Sequence, residues 1–168
     1  AATLFLYGQT GAGKTHTLRQ LLGLVVAQLF DMDPSTGHDG RPVALRVSAV
    51  EVLGKRCVDL ATGFSCTPLQ AADGSLQLSG SAVASVKSSA DARALLSRVL
   101  AKRATEATAA NATSSRSHMV LTLAIGDDGD NNAAAGSLTL VDCAGSEWSA
   151  DASAHTAKRR QEGAGINT

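Results

Sequence analysis

Aromatic side chains and net charge are both scarce in this sequence. Only 3% of its 168 residues are aromatic, although 44% are hydrophobic, and 15 basic residues balance 15 acidic ones. A neutral chain lacks the basic excess typical of general nucleic-acid binders, so we expect no nucleic-acid partner. No apolar run approaches the length of a membrane span, and we expect no membrane contact from this segment. A chain of this length can bury one hydrophobic core, which predicts a single domain.

Cysteine is rare as well. The three cysteines are Cys57, Cys66 and Cys143. Their odd number and the absence of a C-x-x-C pair argue against a disulfide framework or a zinc site. We expect reduced, packed thiols, which are typical of a cytoplasmic protein.

Apolar periodicity predicts an α/β fold in which strands and helices alternate. Ser88 and Asp91 have the spacing of a capping box and predict the start of a helix that leads towards residue 100. The other predicted elements are a strand at residues 4–7, a helix ending at about Phe30, a surface loop at 31–40, a strand at 43–53, a hairpin at 69–86, and strands at 119–125 and 138–141 joined by a turn at 126–132.

Residues 8–15 read GQTGAGKT and fit the phosphate-binding pattern G-x-x-x-x-G-K-[ST]. The glycines allow successive backbone N–H groups to converge on phosphate oxygens at the start of a helix. In this pattern Lys14 neutralises the β- and γ-phosphates, and the Thr15 hydroxyl ligates Mg²⁺. The alternative is a glycine-rich turn with a chance Lys-Thr, which the flanking strand and helix disfavour. We call residues 8–15 the phosphate loop.

Two further segments supply groups that a phosphate loop lacks. Residues 111–118 read NATSSRSH, and residues 142–147 read DCAGSE. Asp142 ends a predicted buried strand, where a carboxylate faces the metal of the phosphate loop. In isolation, the serine-rich segment around Arg116 would be read as a solvated loop, but Arg116 and Glu147 have opposite charges and no other evident assignment.

Together, these three segments resemble the nucleotide pocket of the kinesin motor domain. That family carries GQTGxGKT, a first switch of the form NxxSSRSH and a second switch of the form DLAGSE. The order and separations are similar, and residues 47–60 and 162–167 extend the resemblance over essentially the whole chain, 1–168. The resemblance implies a P-loop NTPase fold with a kinesin-like mixed central sheet flanked by helices, here truncated at both ends. We call residues 111–118 the first switch and residues 142–147 the second switch.

The resemblance also implies a role for each matching residue. Ser115 positions the attacking water, Glu147 takes its proton through a second water, Arg116 latches to Glu147, and Gly145 contacts the γ-phosphate. Mg²⁺ is held by Thr15, Ser114 and Asp142, partly through water. His16 either packs near the adenine or is an ordinary first-turn helix residue. The implied ATP-binding residues are Gly8, Gln9, Thr10, Gly11, Ala12, Gly13, Lys14, Thr15, His16 and Ser114.

The implied activity is a microtubule-stimulated ATPase that converts ATP turnover into switch movement, located in the cytoplasm on the cytoskeleton. Lys158, Arg159 and Arg160 are the implied tubulin contacts, and the alternative reading of such a run is a solvated basic turn. Residues around this run resemble the internal-motor branch, which depolymerises microtubules. The alternative function is a kinesin-like protein that binds nucleotide or microtubules without productive turnover. A P-loop GTPase is remote, because the chain has no Asn-Lys-x-Asp motif.

A kinesin motor domain is about twice this length. We therefore expect the fragment alone to be inactive, and any dimer to form through regions outside it.

Overall fold

The computed structural model describes residues 1–30, 44–70, 72, 74, 76–109, 116–126 and 134–146. Within these ranges the chain contains eight strands and two helices, which confirms the predicted α/β fold class, although five strands follow one another between the helices. The elements are β1 (Ala2–Leu6), α1 (Lys14–Phe30), β2 (Ala44–Leu53), β3 (Arg56–Asp59), β4 (Thr67–Gln70), β5 (Leu76–Ser79), β6 (Ala84–Val86), α2 (Ser89–Ala109), β7 (His118–Gly126) and β8 (Ala134–Asp142).

Six of the described strands form one mixed sheet in the order β1-β8-β7-β2-β3, with β6 also paired to β2. β1 runs parallel to β8, whereas β8, β7 and β2 are antiparallel neighbours. Opposite its β7 side, β2 pairs with β6 through Leu45–Val47 and with β3 through Val50–Leu53. Two short strands therefore cover successive parts of one edge of the long central strand.

Both described helices pack on the same face of this sheet. The buried residues of α1 are Leu18, Leu22 and Val26, which recur at the helical spacing predicted from the sequence. They join the buried stripe of α2 and the inward-facing side chains of β2, β7 and β8 in one hydrophobic core. On the opposite face, Thr122, Thr139 and Val141 are only half-buried.

Local signals in the sequence predict the end of α1 and the start of α2 correctly, whereas α2 continues to Ala109, beyond the predicted residue 100. α1 ends at Phe30 as predicted. Ser88 caps α2 as predicted, since the Asp91 N–H donates to Ser88 Oγ at 3.1 Å, and the Ser88 hydroxyl donates to Asp91 Oδ2 at 2.7 Å. The predicted loop at 31–40 lies outside the described residues, as does most of the predicted turn at 126–132.

The predicted hairpin at residues 69–86 is wrong in its second half. The hairpin consists of β4 and β5 alone, with Thr67 opposite Ser79. The chain then leaves the hairpin, and β6 pairs with Leu45–Val47 of the main sheet. Residues 84–86 therefore pair with a strand that is distant in sequence, although their local pattern is also compatible with a hairpin.

The strand register places the points where three functional loops join the sheet next to one another, at one end of the sheet. Asp142 at the end of β8 lies opposite Leu6 at the end of β1 and opposite Met119 at the start of β7. The phosphate loop follows β1, the second switch begins at the end of β8, and the first switch leads into β7. Segments far apart in sequence therefore start from adjacent backbone positions.

A separate buried carboxylate organises the far edge of the sheet. Asp59 is 0% exposed. Its Oδ1 accepts the Thr62 N–H at 2.7 Å and the Thr62 hydroxyl at 3.0 Å, and its Oδ2 accepts the Ala82 N–H at 2.8 Å and the Ser81 hydroxyl at 3.3 Å. Burial raises the pKa of Asp59, but the hydrogen bonds from Thr62 and Ala82 outweigh it, so the pKa lies below its ordinary value.

Replacing this carboxylate should destabilise the fold in a pH-dependent way. We expect Asp59→Asn to lower the free energy of unfolding at pH 7 by about 2–4 kcal/mol, because buried donors lose a charged acceptor. The pKa of Asp59 is lower in the folded protein than its ordinary value of 3.8. The stability that the ionised carboxylate contributes is therefore fully present above pH 3.8, and it is lost as the pH falls from 3.8 through the folded-state pKa. Urea unfolding of wild type and variant from pH 7 to pH 3 measures the difference between their free energies of unfolding.

Asp91→Asn is the matched control, because Asp91 is exposed and bonds within one helix turn. It should cost less than about 1 kcal/mol. A wild-type to Asp59→Asn gap that stays constant down to pH 3 would contradict the assigned role of the carboxylate.

Candidate functional site

The phosphate loop has the backbone conformation that its glycines predict. Gly11 and Gly13 have φ angles of 83° and 89°, values that side chains other than glycine rarely adopt. The Ala12 N–H donates to the Gln9 carbonyl at 3.2 Å, and the Thr17 N–H donates to the Gly13 carbonyl at 2.9 Å, which starts α1. The loop therefore curls directly into a helix N-terminus, where backbone N–H groups favour anions.

Lys14 lies across this loop. Its ammonium donates to the Gly8 carbonyl at 2.7 Å and to the Gln9 carbonyl at 2.8 Å. Lys14, Thr15 and His16 help to line an open hollow of about 240 Å³ beside the loop. A cation held inside such a hollow is positioned for phosphate oxygens.

Asp142 meets the phosphate loop through Thr15. The Thr15 hydroxyl donates to Asp142 Oδ2 at 2.8 Å, which leaves the lone pairs of Thr15 Oγ1 available as a ligand. Asp142 is 0% exposed, and its Oδ1 accepts no hydrogen bond from the described residues. A buried carboxylate oxygen without a donor among the described residues, together with the lone pairs of a neighbouring hydroxyl oxygen, suits a hard cation such as Mg²⁺ or its bound water.

Arg103 of α2 is a residue of this site that the sequence predictions missed. It is 3% exposed, and its Nη1 forms a buried salt bridge with Asp142 Oδ2. Its Nη2 donates to the Ser117 carbonyl at 3.2 Å. Ser117 Oγ in turn donates to Glu51 Oε1 at 2.5 Å. A continuous buried chain of polar contacts thus links β2, the first switch, α2 and β8.

The two switches are also joined directly at their bases. The Ala144 N–H donates to His118 Nδ1 at 3.2 Å, so the last residue of the first switch holds the backbone of the second. The Ser146 N–H donates to the Gly8 carbonyl at 3.2 Å, and the Cys143 N–H donates to the Leu6 carbonyl at 3.1 Å. The second switch is therefore hydrogen-bonded on one side to the first switch, and on the other side to the end of β1 and the start of the phosphate loop.

The other predicted site residues divide between described and undescribed parts of the chain. Gly145 is buried, Arg116 is half-buried at the base of the first switch, and His16 is exposed on the first turn of α1. The predicted residues that lie outside the described ones are Ser114, Ser115, Glu147, Lys158, Arg159 and Arg160. Their roles remain predictions.

A signal for Arg103 was present in the sequence. Ala92 and Val99 belong to the buried stripe of α2, and Arg103 follows Val99 by four residues, on the same helical face. Likewise, Glu51 continues the inward-facing alternation of Val47 and Ala49 in β2. A charged residue that continues an apolar stripe must find a buried partner.

Two other features border the site. Cys143 also lines the hollow, and its thiol has a raised pKa because of burial and the adjacent negative charge of Asp142. A protonated thiol is a poor nucleophile. A larger groove of about 480 Å³ lies between α1 and α2, but the described residues that line it are mainly apolar and include no carboxylate, so it does not suit a metal-bound triphosphate. Neither described helix is long and apolar enough to cross a membrane.

Comparison with known proteins matches the whole chain. The family model described as the kinesin motor domain covers residues 1–168. Diatom spindle kinesin-1 of Cylindrotheca fusiformis is 32% identical, over 99% of this chain and 26% of the relative. Kinesin-like proteins KIN-13B and KIN-8B of Arabidopsis thaliana are 35% and 38% identical, over 99% of this chain and 25% and 21% of their own lengths. The chain thus spans about a quarter of the length of these relatives.

Solved structures agree with the fold. A fast kinesin, described with implications for its ATPase mechanism and interactions with microtubules, is 28% identical with a TM-score of 0.75, covering 99% of this chain and 50% of that one. A Kar3Vik1 motor and motor homology domain, 24% identical with a TM-score of 0.75, covers 99% of this chain and 45% of its own, and supports the fold alone. On the family match, the relatives above 30% identity and the shared mixed sheet, the chain belongs to the kinesin motor domain family.

Proposed function

We propose that this chain forms the catalytic part of a motor that hydrolyses ATP with Mg²⁺ and is stimulated by microtubules. The observation that carries the proposal is the contact between Thr15 and Asp142. It joins a phosphate loop to a buried carboxylate whose Oδ1 accepts no hydrogen bond from the described residues. This pair of oxygen ligands beside a lysine is the arrangement expected where a metal-bound triphosphate is cleaved.

The phosphate loop would bind the ATP phosphates through its backbone N–H groups and through Lys14, with Gln9 and Thr10 completing the wrap. His16 would lie beside the base. Thr15, Asp142 and Ser114 would hold Mg²⁺, which when bound neutralises charge on the β- and γ-phosphate oxygens. Phosphoryl transfer needs little covalent help, so this alignment supplies most of the catalysis.

The switches would align the attacking water, and they would change conformation when the γ-phosphate is lost. Ser115 would position the water, and Glu147 would take its proton through a second water. Arg116 would pair with Glu147 when the switches close, and the backbone N–H of Gly145 would contact the γ-phosphate. Loss of that phosphate would release the second switch, which is how order and disorder of a segment become movement.

Microtubules are the proposed partner, which would locate the protein on the cytoplasmic cytoskeleton. Family membership supports this partner, and Lys158, Arg159 and Arg160 are the proposed contacts with acidic tubulin, an attraction that weakens with salt. Dimerisation through regions outside this chain is a further proposal. The three relatives named above are 32%, 35% and 38% identical to this chain. Sequence identity therefore does not favour assigning the chain to the microtubule-depolymerising branch rather than to the walking motors.

Phosphate release from Mg·ATP by the full-length protein, with and without microtubules, tests the proposal. We expect strong stimulation by microtubules. Glu147→Ala should lower turnover by roughly 10²–10⁴-fold, because it removes the proton acceptor, while leaving nucleotide binding intact.

Asp91→Ala is the matched control, an exposed acidic residue on α2 that should leave turnover unchanged. ATP binding without turnover in the wild type would replace the motor with the alternative function, a nucleotide-gated binding protein. Absence of nucleotide binding would reject both.

The contact between His118 and Ala144 predicts a second effect. His118→Ala leaves the buried Ala144 N–H without its acceptor and should uncouple the bases of the two switches. An unsatisfied buried donor costs about 1–3 kcal/mol. Because the joined switch bases would be needed in the transition state, this cost adds to the barrier, and we expect phosphate release to slow by about fivefold or more. Single-turnover phosphate release measures this rate, and fluorescent ADP binding should change little.

Thr122→Ala serves as the control on the same strand, because the Thr122 hydroxyl meets that of Thr139, farther along the sheet from the switches. Equal rates for wild type and His118→Ala would show that the contact does not couple the switches.

A further inference from the structure

Two of the three cysteines lie opposite each other at the far edge of the sheet. Val58 of β3 forms an antiparallel bridge with Ser65. Next to this bridge, the Cys66 N–H donates to the Cys57 carbonyl at 2.9 Å. In this register Cys57 is directly opposite Cys66, so their side chains lie on the same face of the two paired segments.

The distance between such positions suits a disulfide. Directly opposed residues of a hydrogen-bonded antiparallel pair have Cα atoms about 5.5 Å apart. A disulfide joins residues whose Cα atoms are roughly 4.4–6.8 Å apart. The side chain of Cys57 is also a hydrogen-bond partner of the Cys66 thiol. The two sulfur atoms are therefore neighbours, and the backbone needs little movement for them to bond.

Both thiols belong to a small apolar cluster outside the main core. Cys57 is 7% exposed and Cys66 is 6% exposed, and both pack with Val50. Val50 and Val52 alternate along β2 with the side chains that face the helices, so this cluster lies on the opposite face of the sheet. Burial and then the neighbouring Cys57 thiol raise the pKa of Cys66, which makes its sulfur a poor nucleophile while the site stays closed.

The segment that covers Cys66 is thin. Within residues 62–70, Cys66 is buried and every other residue is exposed. Even the apolar side chains of Phe64 and Leu69 are 74% and 51% exposed. A segment with so few buried contacts opens locally at a low free-energy cost. A small oxidant such as hydrogen peroxide can therefore reach the pair through a local opening, without unfolding of the sheet.

We propose that Cys57 and Cys66 form a dithiol that hydrogen peroxide converts reversibly into a disulfide, which ties the base of the β4–β5 hairpin to β3. One sulfur, as its thiolate, attacks a peroxide oxygen and breaks the O–O bond. It becomes a sulfenic acid, and the displaced oxygen leaves as water. The second sulfur attacks the sulfenic sulfur, so the S–S bond forms and a second water leaves. Overall, two thiols lose two electrons and two protons, and one hydrogen peroxide becomes two waters.

The disulfide acts on the hairpin because β4 begins at Thr67, directly after Cys66, and pairs with β5. Joining Cys57 to Cys66 closes residues 57–66 into a ring, which restricts the locally opened state of the segment. β3 and β1 lie at opposite ends of the strand order, and the phosphate loop follows β1. The inference is therefore independent of the proposed nucleotide site.

Peptide mapping of the full-length protein tests the pairing. Residues 57–87 form one tryptic peptide, because they follow Arg56, end at Lys87 and contain no other lysine or arginine. The protein is treated with hydrogen peroxide, unfolded, blocked with N-ethylmaleimide and digested. We expect the peptide to lose the mass of two hydrogen atoms and to bind no maleimide. After dithiothreitol treatment, both of its cysteines should bind maleimide.

Cys143 is the internal control. It is the single cysteine of the tryptic peptide 117–158, which cannot close a disulfide within itself. Cys66→Ala removes one partner with a small change in volume, and its peptide 57–87 should never become lighter by two hydrogen atoms. If the wild-type Cys57 and Cys66 gain oxygen without pairing, or still bind maleimide after peroxide, the proposal is overturned.

Cleavage of the native protein by chymotrypsin after Phe64 tests the tie to the hairpin. Oxidation should slow this cut by roughly tenfold or more in the wild type, because ring closure disfavours the opened segment. Dithiothreitol should restore the original rate, and peroxide should leave the rate of Cys66→Ala unchanged. An oxidised wild type that is cut as fast as the reduced protein would overturn the proposed restraint.

Discussion

A carboxylate with no exposed surface constrains every element around it. Asp142 ends β8 inside the protein, where an uncompensated charge would cost several kcal/mol. Compensation comes from two directions, with the Thr15 hydroxyl from the phosphate loop and the Arg103 guanidinium from α2. Ser117 and Glu51 then extend the same chain of contacts to the first switch and to β2. One buried charge therefore ties the phosphate loop, α2, the first switch and β2 to the end of β8.

Those parts of the fold that depend on neighbouring residues could be predicted from the sequence. The periodicity of α1 (Lys14–Phe30) and the capping box of α2 (Ser89–Ala109) are properties of contiguous segments. The end of the hairpin could not be predicted in this way, because β6 (Ala84–Val86) is decided by its pairing with β2, about forty positions earlier. Local patterns record which face of a segment is apolar, but they do not record which backbone it meets.

The residues of the site likewise fall into two groups, those that the sequence predicts and those that it does not. The phosphate loop and Asp142 have recognisable motifs, because phosphate binding needs particular residues at fixed spacing. Arg103 has no such motif. Its partner lies on another element, and its importance arises only when α2 packs over the end of β8. The contact between His118 and Ala144 was missed for the same reason, since it depends on the register of β7 and β8.

That register also has a consequence for how the protein is made. β1 enters the sheet beside β8, with Ala2 opposite Leu138, so the strand that carries the phosphate loop must wait for a partner synthesised near the other end of the described chain. Closing so long a loop is entropically costly and slow. During translation the emerging chain carries an intact phosphate-binding motif but has no Asp142 to face it. Nucleotide capture at this site therefore cannot precede the synthesis of β8, and a ribosome that stalls before β8 leaves a chain that lacks Asp142.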